Sequence, residues 1–431
     1  MDDVKALVAQ LYPFDYSITG RGNDAAVRLM QSLLSFEIFE YPSGSELNGW
    51  LIPPAHVVET ALLLRDGQVV YDGAQSPLGV PAQAETFCGT VSLDELQAHL
   101  FSDPTLPDAI PAHWTKLYRP STSVWGFCLP HRVRESLTPG EYEVRLITRV
   151  EPSTMKVLLH TLPGTTSETV LFDAHNCHPF QANDDMSGVA VGIAVMRELA
   201  RRPRRRFTYQ LMVAPELFGP AFWLDQLDPA RAAQLRGTVM LKSVGNDRPL
   251  RLQRAFDASS LISRAAMRVF AEKYGTFDSA VFRGLYGNDE TIFEAPPFRI
   301  PSITFTRWPF PEYHTDLDTP ERLNAERLSD TVDTAVQLCD TLEMCRRFTP
   351  AFRGLVSLSR HGLYLPIPAV GPDGVDFGSV QGRWHRLMNT LPSLLGPDFD
   401  LLRVCDEFDL PVREVHGYLM RWVAAGLVEM S

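Results

Sequence analysis

Between residues 170 and 188 the chain reads VLFDAHNCHPFQANDDMSG, an apolar run ending at Ala174 and followed by His175, Cys177, His178, Asp184 and Asp185. Imidazole, thiolate and carboxylate are the side chains that bind zinc, and a catalytic site uses three of them and leaves one position open. Other apolar runs end in the same way. VAPE places Glu216 after FTYQLMV, GNDE places Asp289 and Glu290 after AVFRGLYG, and ITFTRWPFPEYHTDLDTPE places His314 and Asp316 behind a short run bounded by Pro301 and Pro309. Metal-assisted hydrolysis also needs a carboxylate that is not a ligand, to take a proton from water. His175 or His178, with Asp184 and His314, can fill the ligand set, and Glu216 can be the base. Singly, each has an ordinary structural use: a strand-end histidine is commonly a satisfied polar group, and Asp184, Asp185 or Glu216 could cap a helix. Only the set is informative.

Groups arranged in this way need strands to present them. ETVLFDAH, FTYQLMVAPE and GTVMLKSVG read as buried strands, and SGVAVGIAVMRELARR and ASSLISRAAMRVFAEKYG as helices. The alternation predicts an α/β fold, a mostly parallel sheet with helices on both faces and ligands beyond the carboxyl ends of the strands. Residues 1–40 carry a helical stripe through Val27, Met30, Leu33, Leu34 and Ile38. Residues 41–120 hold short β-like runs broken by nine prolines, which suits a small antiparallel unit rich in turns. After Thr349 the segment DLLRVCDEFDLPVREVHGYLMRWVAAGLVEM reads as two short helices, a turn at Pro411 and a closing strand. RRPRRR, residues 201–206, is a basic run best read as a solvated helix end.

Composition narrows the function classes. Apolar residues at 45% and charged ones at 21% describe a globular chain able to bury a core. A net charge of −12 argues against nucleic acid and anionic membrane as partners. Six cysteines without a CxxC pair point to reduced thiols and a cytoplasmic protein, and neither a signal peptide nor a membrane-spanning apolar run is visible. Phosphate-cradling glycine loops and a GxSxG elbow are missing as well. Trp50, Trp114, Tyr118 and Trp125 are expected mainly to pack.

The order CHP…NDDMSG, strand-end Glu216, GNDE, then PEYHTDLD resembles the zinc exopeptidases related to bacterial leucyl aminopeptidase and glutaminyl cyclase. Closer still is the resemblance to a bacterial aminopeptidase-like family with a small inserted β domain and a C-terminal winged helix. It extends through LYPFDYSITGRG (11–22), PSGSELNGWLIP (42–53), PDAIP with WGFC (107–128) and RHGLY (360–364). This implies an aminopeptidase-like α/β domain over 1–45 and 125–350, the inserted β domain over 46–124, and a winged-helix-like domain over 351–431. The resemblance assigns Asp184 to the metal-bridging aspartate and His314 to the late histidine ligand, with His175 and His178 competing for the first ligand. It also gives Glu216 as general base and Asp289 as the residue that orients a histidine.

Two departures matter. Leu217 follows Glu216 where dinuclear aminopeptidases have a second, ligating glutamate, and Lys242 stands where they have an aspartate. One zinc is therefore expected rather than two, with the Lys242 ammonium either replacing the second ion or pointing to solvent. The implied activity is zinc-dependent hydrolysis of a small amide or N-terminal peptide bond, Glu216 deprotonating the zinc-activated water. Glu290, Asp316 or Asp185 would anchor a substrate α-ammonium. The alternatives are glutaminyl-cyclase-like acyl transfer, or a decayed site that binds a ligand or partner. The acidic C-terminal domain is expected to make protein contacts or a homo-oligomer rather than bind DNA.

Overall fold

The computed structural model describes residues 3–366, 368, 370–371 and 374–431. The chain forms two compact units. The first holds residues up to Ala258 together with Asp278–Asp333, and the second holds Ser259–Phe277 together with Thr334–Ser431.

An eight-stranded sheet organises the first unit. In chain order its strands are β1 (Phe36–Pro42), β2 (Thr154–Leu162), β3 (Thr169–His175), β4 (Thr208–Ala214), β5 (Leu235–Lys242), β6 (Arg251–Gln253), β7 (Ser279–Ala280) and β8 (Ser302–Thr306). Their spatial order is β1-β2-β4-β3-β5-β8-β6-β7. The central β4, β3, β5 and β8 run parallel, whereas β1, β2 and β6 join antiparallel, so the sheet is mixed with a parallel centre. All seven residues of β3 are buried, the continuous pattern expected where helices cover both faces.

Alternation along the strands divides the core. Leu171, Met212 and Met240 pack with Phe218, Phe222 and Trp223 on one face. On the other lies the helix Ser187–Ala200, which reaches the backbone of β5 because residue 188 is glycine. A Cβ there would meet the Leu241 carbonyl oxygen at 1.9 Å and the Asp185 carboxylate at 2.6 Å. The SG of NDDMSG is thus a packing requirement beneath the site. Fully burying Val189, Ile193 and Leu199 of this helix contributes roughly 1.5–3 kcal/mol each.

The sequence-based stripe through Ile38 ends earlier than expected. Helices span Val4–Leu11 and Arg21–Leu33, and Ile38 belongs to β1. FEIFEY is β-branched and aromatic, and its seven-residue pairing with β2 overrides the helical spacing. The inserted β unit is a four-stranded antiparallel sheet in the order Gln68–Asp72, Ala55–Arg65, Glu141–Glu151, Phe87–Ser92. It takes in Glu141–Glu151, which sequence reading put in the α/β domain. That strand's inward residues Tyr142, Val144 and Leu146 pack with Ala61, Leu63 and Val91 of the insertion.

The second unit contains the helices Leu261–Tyr274, Val380–Leu394, Leu401–Phe408 and Val412–Ala424, with a two-stranded antiparallel ladder of Phe348–Pro350 and Val428–Met430. Asp400 caps Leu401–Phe408 by accepting from the Arg403 N–H at 2.9 Å, and takes both Arg264 guanidinium nitrogens at 2.6 and 2.8 Å. No helix among the described residues is long and apolar enough to cross a membrane.

Candidate metal centre

Strand ends bring the singled-out residues together. β3 delivers His175 and, through a short loop, His178; β5 delivers Lys242; Asp184 and Asp185 stand just before the helix Ser187–Ala200; and His314 comes from the loop after β8. One ligand-capable atom each from His178, Asp184 and His314 lie within 4.8 Å of one another. His178 Nε2 is 3.4 Å and His314 Nε2 3.3 Å from Asp184 Oδ2. His178 Nδ1 meets the Pro179 carbonyl oxygen at 3.0 Å, which fixes the proton on Nδ1 and leaves the Nε2 lone pair free. His178 Nε2 and Asp184 Oδ2 are buried and have no well-aligned hydrogen-bond partner. Burial, outweighing the Asp184 contacts, holds His314 below the ordinary imidazole range, so it is a neutral donor near pH 7. Two free imidazole nitrogens and an unsatisfied carboxylate oxygen in a buried pocket form a donor set that suits zinc.

His175, Cys177 and His178 form a second close group, but two of its donors are occupied or protonated. The Lys242 ammonium donates to His175 Nε2 at 2.9 Å and consumes its lone pair. Burial and the Glu216 carboxylate push the Cys177 thiol well above its usual range, away from the thiolate a metal needs.

Lys242 is 1% exposed, so the solvent-facing reading is excluded. Its ammonium also contacts Asp184 Oδ1, and it lies 4.9 Å from the Tyr286 ring and 5.7 Å from that of Tyr313. One oxygen of Asp184 is therefore taken by Lys242, and the other faces His178 and His314. Burial alone would raise the pKa of Asp184, but the Lys242 ammonium holds it well below the carboxylate range. Lys242 itself is held well above its usual range, Asp184 prevailing over burial.

Glu216 follows β4, half-buried, and its charge acts on His175, Lys242 and Tyr118. Asp289, expected to orient a histidine, instead accepts the Leu217 N–H at 2.5 Å and pairs with Asp173. The residue that faces His175 Nδ1 is Asn288, at 3.4 Å. Burial raises both carboxyls: Asp173 goes up to about 7 although its hydrogen bond with Asp289 pulls it down, and Asp289 is raised by burial and by the Asp173 charge, so the pair holds a proton. The three proposed ammonium anchors are all committed elsewhere. Asp185 accepts from Ser243 N at 3.0 Å and His175 N at 3.3 Å; Glu290 takes Asn288 N at 2.9 and 3.0 Å and Gln253 at 3.3 Å; Asp316 takes Ile110 N at 2.8 Å.

Left-handed backbone clusters here. Leu217 (φ 64°), Ser243 (φ 53°) and His314 (φ 57°) each adjoin or are a site residue, and strain of this kind persists where surrounding structure enforces it. Sequence reasoning passed over Asp173, Asp318, Tyr286 and Tyr313. Asp318 holds the turn of Asp184 by accepting from the 183 and 184 N–H groups at 2.8 and 2.9 Å, and its signal was the DLD of PEYHTDLD. Trp114 is not only packing: its ring lies 5.4 Å from that of His178 and 6.1 Å from that of His314. Trp50 and Tyr118 do pack, against Phe218, and Trp125 stacks between Phe87 and His99.

The fold is the aminopeptidase-like α/β fold. The crystal structure of a "putative peptidase" from Clostridium acetobutylicum superimposes with a TM-score of 0.83 at 21% identity, covering 99% of this chain and 96% of that one. A zinc aminopeptidase from Bacillus subtilis gives 0.59 at 15% identity over 78% and 93%. A curated Clostridium acetobutylicum relative, "Putative polysaccharide biosynthesis protein with aminopeptidase-like domain", is 25% identical over 80% of this chain and 79% of its own. The chain belongs to the family described as Domain of unknown function (DUF4910), whose model matches residues 5–345.

Proposed function

We propose that this protein is a metal-dependent amide hydrolase with a single zinc held by His178, Asp184 and His314. The observation that carries the reading is the division of Asp184: one oxygen faces two imidazoles and the other is neutralised by a buried ammonium. Zinc held by such residues supplies Lewis acidity toward an amide carbonyl and acidifies water to a pKa of about 7. Glu216 takes a proton from the attacking water and returns it to the departing amine. Asp289 secures Glu216 in place through the next residue's N–H. Lys242 fixes Asp184 and supplies the charge that a second ion would otherwise bring.

The test is elemental analysis of protein purified with excess zinc, alongside turnover of a panel of small amides. One zinc per chain is expected, lost in His178→Ala and His314→Ala. Glu216→Gln should keep the zinc and lower turnover by about 10²–10⁴-fold. Two tightly held zincs would overturn the single-ion assignment, and zinc retained without His178 would overturn the ligand set.

A further inference from the structure

We infer that the acyl half of the amide taken by this site carries no free α-ammonium: its α-nitrogen is acylated or missing. The inference rests on the metal reading above and adds the class of substrate.

Three observations carry it. A substrate ammonium in a desolvated cleft needs an unengaged carboxylate. The carboxylates around the triad are bound to the protein's own donors: Asp185 by two backbone N–H groups, Glu290 by Asn288 and Gln253, Asp316 by Ile110, Asp318 by residues 183 and 184, and Asp289 by Leu217. Among them, Asp185, Glu290, Asp318 and Asp289 are also at most 1% exposed, so an incoming cation cannot reach them. Glu216 is left for the proton transfers.

The second observation is the sign of the charge already present. Lys242 places a fixed ammonium against Asp184, and a second cation brought beside it would be repelled at short range in a low-dielectric pocket. A carbonyl oxygen or an uncharged amide N–H meets no such opposition.

The third is space. An enzyme that measures its substrate from a free amino end needs a wall there. Here a cavity of about 410 Å³ opens beside Cys177 and Pro179, walled by Trp114 and Leu117 of the inserted unit. Its lining carries both signs, Asp15 and Glu151 with Arg21, and Glu151 is ion-paired with Arg149. An acyl group on the α-nitrogen has room to enter it.

Isothermal titration of the zinc-loaded full chain with three hydroxamates tests this without relying on turnover. The probes are leucine hydroxamate, N-acetyl-leucine hydroxamate and 4-methylpentanohydroxamate, the last lacking the α-nitrogen. The acetylated and nitrogen-free probes should each bind at least tenfold more tightly than the free amine. Equal or tighter binding of leucine hydroxamate overturns the inference and leaves the metal reading standing. Binding of all three that does not depend on zinc removes the metal reading and this inference with it.

Discussion

Lys242 shows how one residue resets a metal site. Its ammonium sits against Asp184 Oδ1 and His175 Nε2, deeply buried, in a position that the sequence aligned with a ligating aspartate. Removing one partner of a buried ion pair leaves an uncompensated charge and typically costs about 3–5 kcal/mol. Lys242→Met should therefore be destabilised by that amount in chelator, and zinc should recover more of its melting temperature than it adds to the wild type. Equal zinc responses in the two proteins would show that Asp184 does not need the ammonium. The ligand motif CHP…NDDMSG…YHT was legible because types and order suffice to suggest it. The choice between His175 and His178 was not, since it turns on a lysine 67 residues away and on the Pro179 carbonyl oxygen.

Glu290 carries a second residue-scale consequence. Burial, against its backbone hydrogen bonds, raises its carboxyl from the ordinary 4.5 to about 7. The neutral form is favoured in the folded chain, so its contribution is complete below about pH 4.5 and is lost as pH rises through 7. Between pH 5 and pH 8 wild type should lose stability relative to Glu290→Gln, by on the order of 3 kcal/mol. Parallel denaturant midpoints across that range would refute the burial cost.

Among elements, the contact that matters most joins the inserted unit to the His314 loop. Ala112 N donates to the His314 carbonyl oxygen at 2.8 Å, Asp316 N to that of Ile110 at 3.2 Å, and Ile110 N to Asp316 Oδ1 at 2.8 Å. Asp316, one of three candidate substrate anchors in the sequence, fastens the loop to residue 110. Asp316→Ala should unprotect the Ile110 amide in hydrogen exchange and weaken zinc binding about 10–100-fold, the usual effect of losing a group that orients a ligand. Unchanged zinc affinity would mean that the loop holds His314 unaided. Parallel strands were readable as unbroken apolar runs, β3 above all. Less readable were β1 and Glu141–Glu151, whose partners are remote in sequence: β2 lies more than a hundred residues beyond β1, and Glu141–Glu151 closes a sheet opened at residue 55.

At the scale of the molecule, a charge of −12 is the broadest constraint, and several cations of the second unit are matched locally. Its cations Arg264, Arg268, Arg383 and Arg413 are each ion-paired, with Asp400, Glu272, Asp409 and Asp340. We propose that this unit meets other proteins rather than DNA, so duplex DNA should show no electrophoretic shift even at low salt. A shift that vanished as salt was raised would mark a genuine phosphate footprint. The division of the chain was only partly visible beforehand, because Ser259–Phe277 reads like any α/β crossover helix yet is grouped with residues after 333.

Trp114 has one more consequence. Of seven tryptophans in the chain, it is the one whose ring lies beside both His178 and His314. Its fluorescence is therefore a built-in reporter of whatever ion those imidazoles hold. Cobalt or copper, whose partly filled d shells accept excitation energy, would darken it, whereas zinc, with a closed shell, would leave it bright.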